Sequence, residues 1–175
     1  TTTANDYLNN LTIDGTITAQ YTGGDGTGVD GTLTVNAGKT FGIADRLEMG
    51  TSSTVDIKDT GALNGPGRLM ITGGTLLTTG NLNAAVTFTT TNTMPARSYG
   101  SYVNFVVGSS TKTLTMAAGT HTILGYFTVS AGGTGNAIVD ASTNNPTVNI
   151  SSYIDFTGTG AGTEVLQAGS GTWTV

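Results

Sequence analysis

Leu11-Thr12-Ile13, Leu33-Thr34-Val35 and Val55-Asp56-Ile57 follow one another at a constant interval of 22 residues. In each triplet two apolar residues flank a polar one, the period-two pattern of a strand with one face on a core and one in water. A further step of 22 carries the first column to Leu77, and Leu47 to Leu69 and Met49 to Ile71 keep the same interval. A strand rises about 3.3 Å per residue, so 22 residues broken by turns make roughly one circuit of a parallel β-helix. Stacked circuits lie about 4.8 Å apart and align like side chains in ladders. The sequence therefore predicts an all-β fold, a parallel β-helix (solenoid) with rungs of about 22 residues. The alternative is an antiparallel β-sandwich or jelly roll, which also places turns every 8–12 residues or so.

The same alternation continues along the chain in Leu114-Thr115-Met116, Phe127-Thr128-Val129 and Val148-Asn149-Ile150, punctuated by Gly73-Gly74, Gly132-Gly133 and Gly158-Thr159-Gly160. Met116 to Ile138 and Phe105 to Phe127 repeat the 22-residue step, and Val129 to Ile150 misses it by one. These later matches carry less weight in a chain so rich in such triplets. Only Ala44-Asp45-Arg46-Leu47-Glu48-Met49 has helix-forming composition, and it is too short to be stable alone. Residues 1–10 are poor in apolar side chains and read as an N-terminal arm. Residues 11–175 read as a single β-rich domain.

Composition narrows the class. Charged residues make up 10 %, against about 25 % in an ordinary domain, and threonine fills the gap at about one residue in five. A hydroxyl on a β-branched side chain suits the solvated face of a strand. The net charge is −5, and Lys39, Arg46, Lys58, Arg68, Arg97 and Lys112 are scattered singly, which argues against nucleic acid. The absence of cysteine removes disulfides, thiol catalysis and thiolate metal sites. No apolar run is long enough to span a membrane as a helix. The opening Thr1-Thr2-Thr3 reads as a mature form or an excised fragment, and the composition as extracellular or cell-surface.

Met94-Pro95-Ala96-Arg97-Ser98-Tyr99-Gly100, Gly119-Thr120-His121-Thr122-Ile123, Gly125-Tyr126-Phe127-Thr128-Val129 and Gly169-Ser170-Gly171-Thr172-Trp173-Thr174-Val175 come in an order that resembles the repeat units of large bacterial surface and adhesin-like proteins. Those units build right-handed parallel β-helices. The resemblance covers most of residues 31–175 and implies a secreted stalk, filament or adhesin shaft with no catalytic residues to carry over.

Candidate sites are few. His121 has no second histidine to complete a metal site and reads as an outward-facing strand residue. The acid pairs Asp45 with Glu48, Asp56 with Asp59, and Asp140 with Asp155 lack the basic and aromatic company of a glycosidase cleft and read as solvated turns. Residues 23–31, Gly-Gly-Asp-Gly-Thr-Gly-Val-Asp-Gly, resemble a calcium-binding glycine-aspartate repeat but occur once, with Gly28 where that motif has Asp. A plain loop with no cofactor is expected; if calcium binds, Asp25 and Asp30 are its ligands. The sequons at Asn10 and Asn149 fall within chance in so threonine-rich a chain. Trp173 and the tyrosines read as core caps and corner fillers, or as a groove for glycans.

The functional expectation is a structural, non-enzymatic subunit or shaft segment of a filament or fibre that self-assembles through strand edges. Tyr7 and Leu8 would anchor the arm, Leu11 and Ile13 form the first edge strand, and Trp173 and Val175 the last. The alternative is a carbohydrate-binding adhesin or phage fibre module. Polysaccharide degradation is the remaining enzymatic reading.

Overall fold

The computed structural model describes residues 7–19 and 28–175, and every regular element in it is a strand paired in parallel. The chain divides into two compact units, residues 1–85 and 86–175. In the first, β1 (Tyr7–Leu8), β2 (Leu11–Ile13) and β3 (Ile17–Ala19) form one circuit. Three more circuits follow: β4 (Gly28–Val29), β5 (Thr32–Val35), β6 (Thr40–Ile43); β7 (Arg46–Met49), β8 (Thr54–Ile57), β9 (Ala62–Asn64); and β10 (Arg68–Ile71), β11 (Thr75–Thr78), β12 (Asn81–Leu82). Each strand pairs with the strand three places on, so three parallel sheets wrap one core: β1-β4-β7-β10, β2-β5-β8-β11 and β3-β6-β9-β12. That is the parallel β-helix expected, and the sandwich is not favoured.

Register confirms the founding columns. Leu11 pairs with Leu33 and Leu33 with Val55, Ile13 with Val35 and Val35 with Ile57, and Leu47 with Leu69. The third sheet adds Ile17, Phe41, Leu63 and Leu82, a column in which Phe41 to Leu63 keeps the 22-residue step while its other steps are 24 and 19. One expected member is wrong. Val55 pairs with Leu76, while Leu77 pairs with Asp56 and is 54 % exposed. The turn before β11, residues 72–74, is one residue shorter than the turn before β8, residues 50–53, and a one-residue shift turns every side chain to the opposite face. At that turn Gly74 has φ of +70°, and a Cβ there would lie 1.9 Å from the Ser53 carbonyl oxygen of the circuit beneath. Only glycine lets the two backbones approach so closely. The stretch with helix-forming composition is β7, because Leu47 and Met49 belong to the stacked core columns.

The second unit repeats the plan with rungs of unequal length, beginning with 17 residues between Val86 and Val103. Its circuits are β13 (Ala85–Phe88), β14 (Asn92–Met94), β15 (Ser98–Tyr99); β16 (Val103–Val107), β17 (Lys112–Met116), β18 (Thr120–Ile123); β19 (Phe127–Ala131), β20 (Ala137–Asp140), β21 (Thr147–Ile150); and β22 (Ile154–Phe156), β23 (Glu164–Gln167), β24 (Trp173–Thr174). Within this unit the sheets are β13-β16-β19-β22, β14-β17-β20-β23 and β15-β18-β21-β24. The core columns are Phe88–Phe105–Val129–Phe156, Val103–Phe127–Ile154, Leu114–Val139–Leu166 and Ile123–Ile150. The 22-residue matches in this half are therefore not pairs. Phe105 stacks on Val129 rather than Phe127, Ile138 on Thr113 rather than Met116, and Ile150 on Ile123 rather than Val129. Longer turns stretch the step to 24 residues between Val103 and Phe127 and to 27 between Phe127 and Ile154.

Tyr7 and Leu8, placed in the N-terminal arm by composition, form β1 on Gly28 and Val29. Residues 1–6 of that arm lie outside the described residues.

Candidate functional site

Two features stand out: the uncovered last circuit, and a row of tyrosines on the face of the first sheet of the second unit.

The strands β22, β23 and β24 each end their sheets, so one side of each backbone has no strand partner. Their inward positions continue the core columns, yet they are not buried. Phe156 stacks on the fully buried Val129 and is 40 % exposed. Leu166 stacks on buried Val139 and Trp173 on buried Val148, and both are half-buried. Val175 is 63 % exposed. Trp173 Nε1 is buried without a hydrogen-bond partner. In the first unit, β1, β2 and β3 also end their sheets. Leu8 and Ile17, which stack on buried Val29 and Phe41, are exposed, Leu11 is half-buried and Ile13 is buried. The expected assembly residues thus lie on circuits with unpaired edges; Leu8, Leu11, Ile13 and Trp173 stand in core columns, and Val175 follows β24 at the surface.

Tyr102, Tyr126 and Tyr153 each stand immediately before the first strand of a circuit. Their rings stack face to face, with centroids 4.8 Å apart and planes within 4° for the first pair, and 5.1 Å and 7° for the second. The spacing is that of the rungs. Main-chain bonds hold the register: Val103 N–H donates to the Tyr126 carbonyl, and Phe127 N–H to the Tyr153 carbonyl, both at 3.0 Å. Partial burial and the two neighbouring phenols raise the pKa of Tyr126 above its ordinary value, in that order of importance. Sequence reading missed this row because the tyrosines are 24 and 27 residues apart. The signal that finds it is a tyrosine directly before an apolar strand start: Tyr102-Val103, Tyr126-Phe127, Tyr153-Ile154.

The lone histidine corrects an expectation. His121 is fully buried, not outward-facing, and it stacks on Val148 in a core column. Its Nε2 lies 2.9 Å from the Ala117 carbonyl oxygen, to which an Nε2–H donates, leaving Nδ1 a buried acceptor without a partner. Burial lowers its pKa despite that bond.

The described partners of these acids are neighbouring side chains and turn backbone. Glu48 pairs with Arg46 at 3.1 Å, and Asp56 with Lys58. Asp59, at φ +28°, accepts from the Thr79 hydroxyl. Asp140 accepts from the backbone N–H and hydroxyl groups of Ser142 and Thr143, and these bonds lower its pKa. Asp155 lies on β22, in a different sheet from Asp140 on β20. Asp30 is exposed, with its carboxylate against Gly50, while Asp25 lies outside the described residues. Among the described residues no group of three or more His, Asp or Glu side chains could hold a metal.

Comparison with protein-family models, with curated proteins and with solved structures finds no match.

Proposed function

We propose that the protein is an extracellular structural subunit, a shaft segment of a surface filament or fibre that self-assembles through its strand edges. The observation that carries this reading is the circuit of β22, β23 and β24, where each strand lacks a partner on one side and Phe156, Leu166 and Trp173 are incompletely covered, beside exposed Val175. Full burial of an exposed apolar side chain is worth about 1.5–3 kcal/mol, and covering these partly exposed ones contributes a fraction of that each. The first circuit of a second copy offers the matching chemistry: three unpaired strand edges and exposed Leu8 and Ile17. Contact between unlike ends does not close on itself and so generates a filament. The non-enzymatic part of the reading is supported by the carboxylates, which engage neighbouring side chains and turn backbone rather than a shared cleft.

Phe156→Asp places a charge in the uncovered column without removing a buried contact partner on both sides. The variant keeps its β-rich circular dichroism and loses the polymers that the unaltered chain forms in light scattering. Val175→Lys, at a more exposed position, acts the same way. Polymers that persist in both would rule out assembly through this circuit.

The tyrosine row favours a second reading, carbohydrate binding by an adhesin or phage fibre module. Sugars stack on aromatic faces, and Tyr126 has both faces covered by its neighbours, which leaves ring edges and the outer face of Tyr153. A glycan array with Tyr153→Ala as control decides it.

A further inference from the structure

We propose that Tyr102, Tyr126 and Tyr153 form an oxidative coupling site, at which dityrosine bonds staple successive circuits of the second unit. The chain has no cysteine, so no disulfide can link its rungs. These three phenols instead place identical oxidisable rings one rung apart, 4.8 and 5.1 Å between centroids and nearly parallel. Tyr153 is 47 % exposed, and Tyr102 and Tyr126 are partly exposed, so the row is open to a small oxidant. Tyr99 is the contrast: it is fully buried and its hydroxyl donates to the Pro95 carbonyl at 2.8 Å.

The oxidant class is a peroxide acting through a haem peroxidase. Hydrogen peroxide takes one hydrogen atom from each of two phenol O–H groups and is reduced to two waters. The two phenoxyl radicals join through ring carbons ortho to oxygen, forming one C–C bond. The hydrogens on those carbons move to the oxygens, and both phenols are restored. Each linked pair has lost two hydrogen atoms. Stacked rings must tilt about χ2 to bring the ortho carbons together, which their solvent-facing edges allow. Holding the partners side by side makes coupling within one chain far faster than between dilute chains.

The proposal stands apart from assembly, so it is tested on the full chain kept dilute and monomeric. The protein is treated with hydrogen peroxide and a haem peroxidase, digested, and its cross-linked peptides identified by mass spectrometry. The expected product is a monomer two hydrogen atoms lighter, with Tyr126 joined to Tyr102 or Tyr153. Tyr126→Phe keeps the ring stack but leaves the outer phenols two rungs apart, roughly 10 Å, and lowers the intramolecular yield at least about tenfold. Equal yield in that variant overturns the proposal. So does a native protein that forms no such link while a tyrosine peptide in the same reaction couples.

Discussion

His121 occupies a core position where a strand of this composition usually places an aliphatic side chain. Its ring stacks on Val148, and its Nδ1 has no partner. An unpaired buried acceptor costs about 1–3 kcal/mol, and protonating the ring would add a buried charge. Because burial lowers the folded-state pKa, the unfolded chain, with an ordinary value of about 6.5, takes up the proton first. Its contribution is therefore fully present above about pH 6.5 and is lost as pH falls toward the folded-state value. Urea unfolding should show stability falling between about pH 7 and pH 5, and His121→Leu should flatten that slope. An unchanged slope in the variant would contradict the assignment. Asp140 acts in a separate window: its lowered pKa gives stability that is lost only below the ordinary carboxylate value of about 4. The burial of His121 was not legible in the sequence, because Thr120-His121-Thr122-Ile123 puts the ring on the inward side in phase with Ile123 while its polarity argues for the outside.

At the scale of the strands, rung length decides which side chains are core. Steps of 22 place Leu11, Leu33 and Val55 in one column, and the shorter turn before β11 hands the fourth place to Leu76. Leu76 is buried and its neighbour Leu77 faces water. Leu76→Ala should cost about 2–5 kcal/mol, whereas Leu77→Ala should stay within roughly 0.5 kcal/mol, both read from denaturant midpoints. Similar costs for the two would mean the register is wrong. The parallel helix was readable through its second sheet, where Leu11, Leu33 and Val55 keep equal steps, and equal spacing is visible in one sequence. The second unit was not readable in this way. Its turns vary in length, so the pairings of Val103 with Phe127 and Phe127 with Ile154 follow no common step. The tyrosine row disappeared from view for the same reason.

For the whole molecule, composition and edges bear on the same function. Threonine and asparagine ladders cover the outside with few charges: Asn36 Nδ2 donates to Asp14 Oδ1 one rung below at 3.2 Å, and Asn83 Nδ2 to Asn64 Oδ1 at 2.7 Å. Such ladders satisfy polar groups along a stack without setting where it stops. What stops a stack is a cap, and the described residues contain no helix at either edge circuit. Unpaired strand edges over exposed apolar columns are a template for another chain. The sequence signals this only indirectly, since Phe156, Leu166 and Trp173 look like any other core residues until their exposure is seen. The most direct measurement is negative-stain electron microscopy of the purified chain over a concentration series. The account predicts unbranched filaments that lengthen with concentration, and only isolated particles for Phe156→Asp. Isolated particles of the unaltered protein, up to the highest soluble concentration, would contradict it.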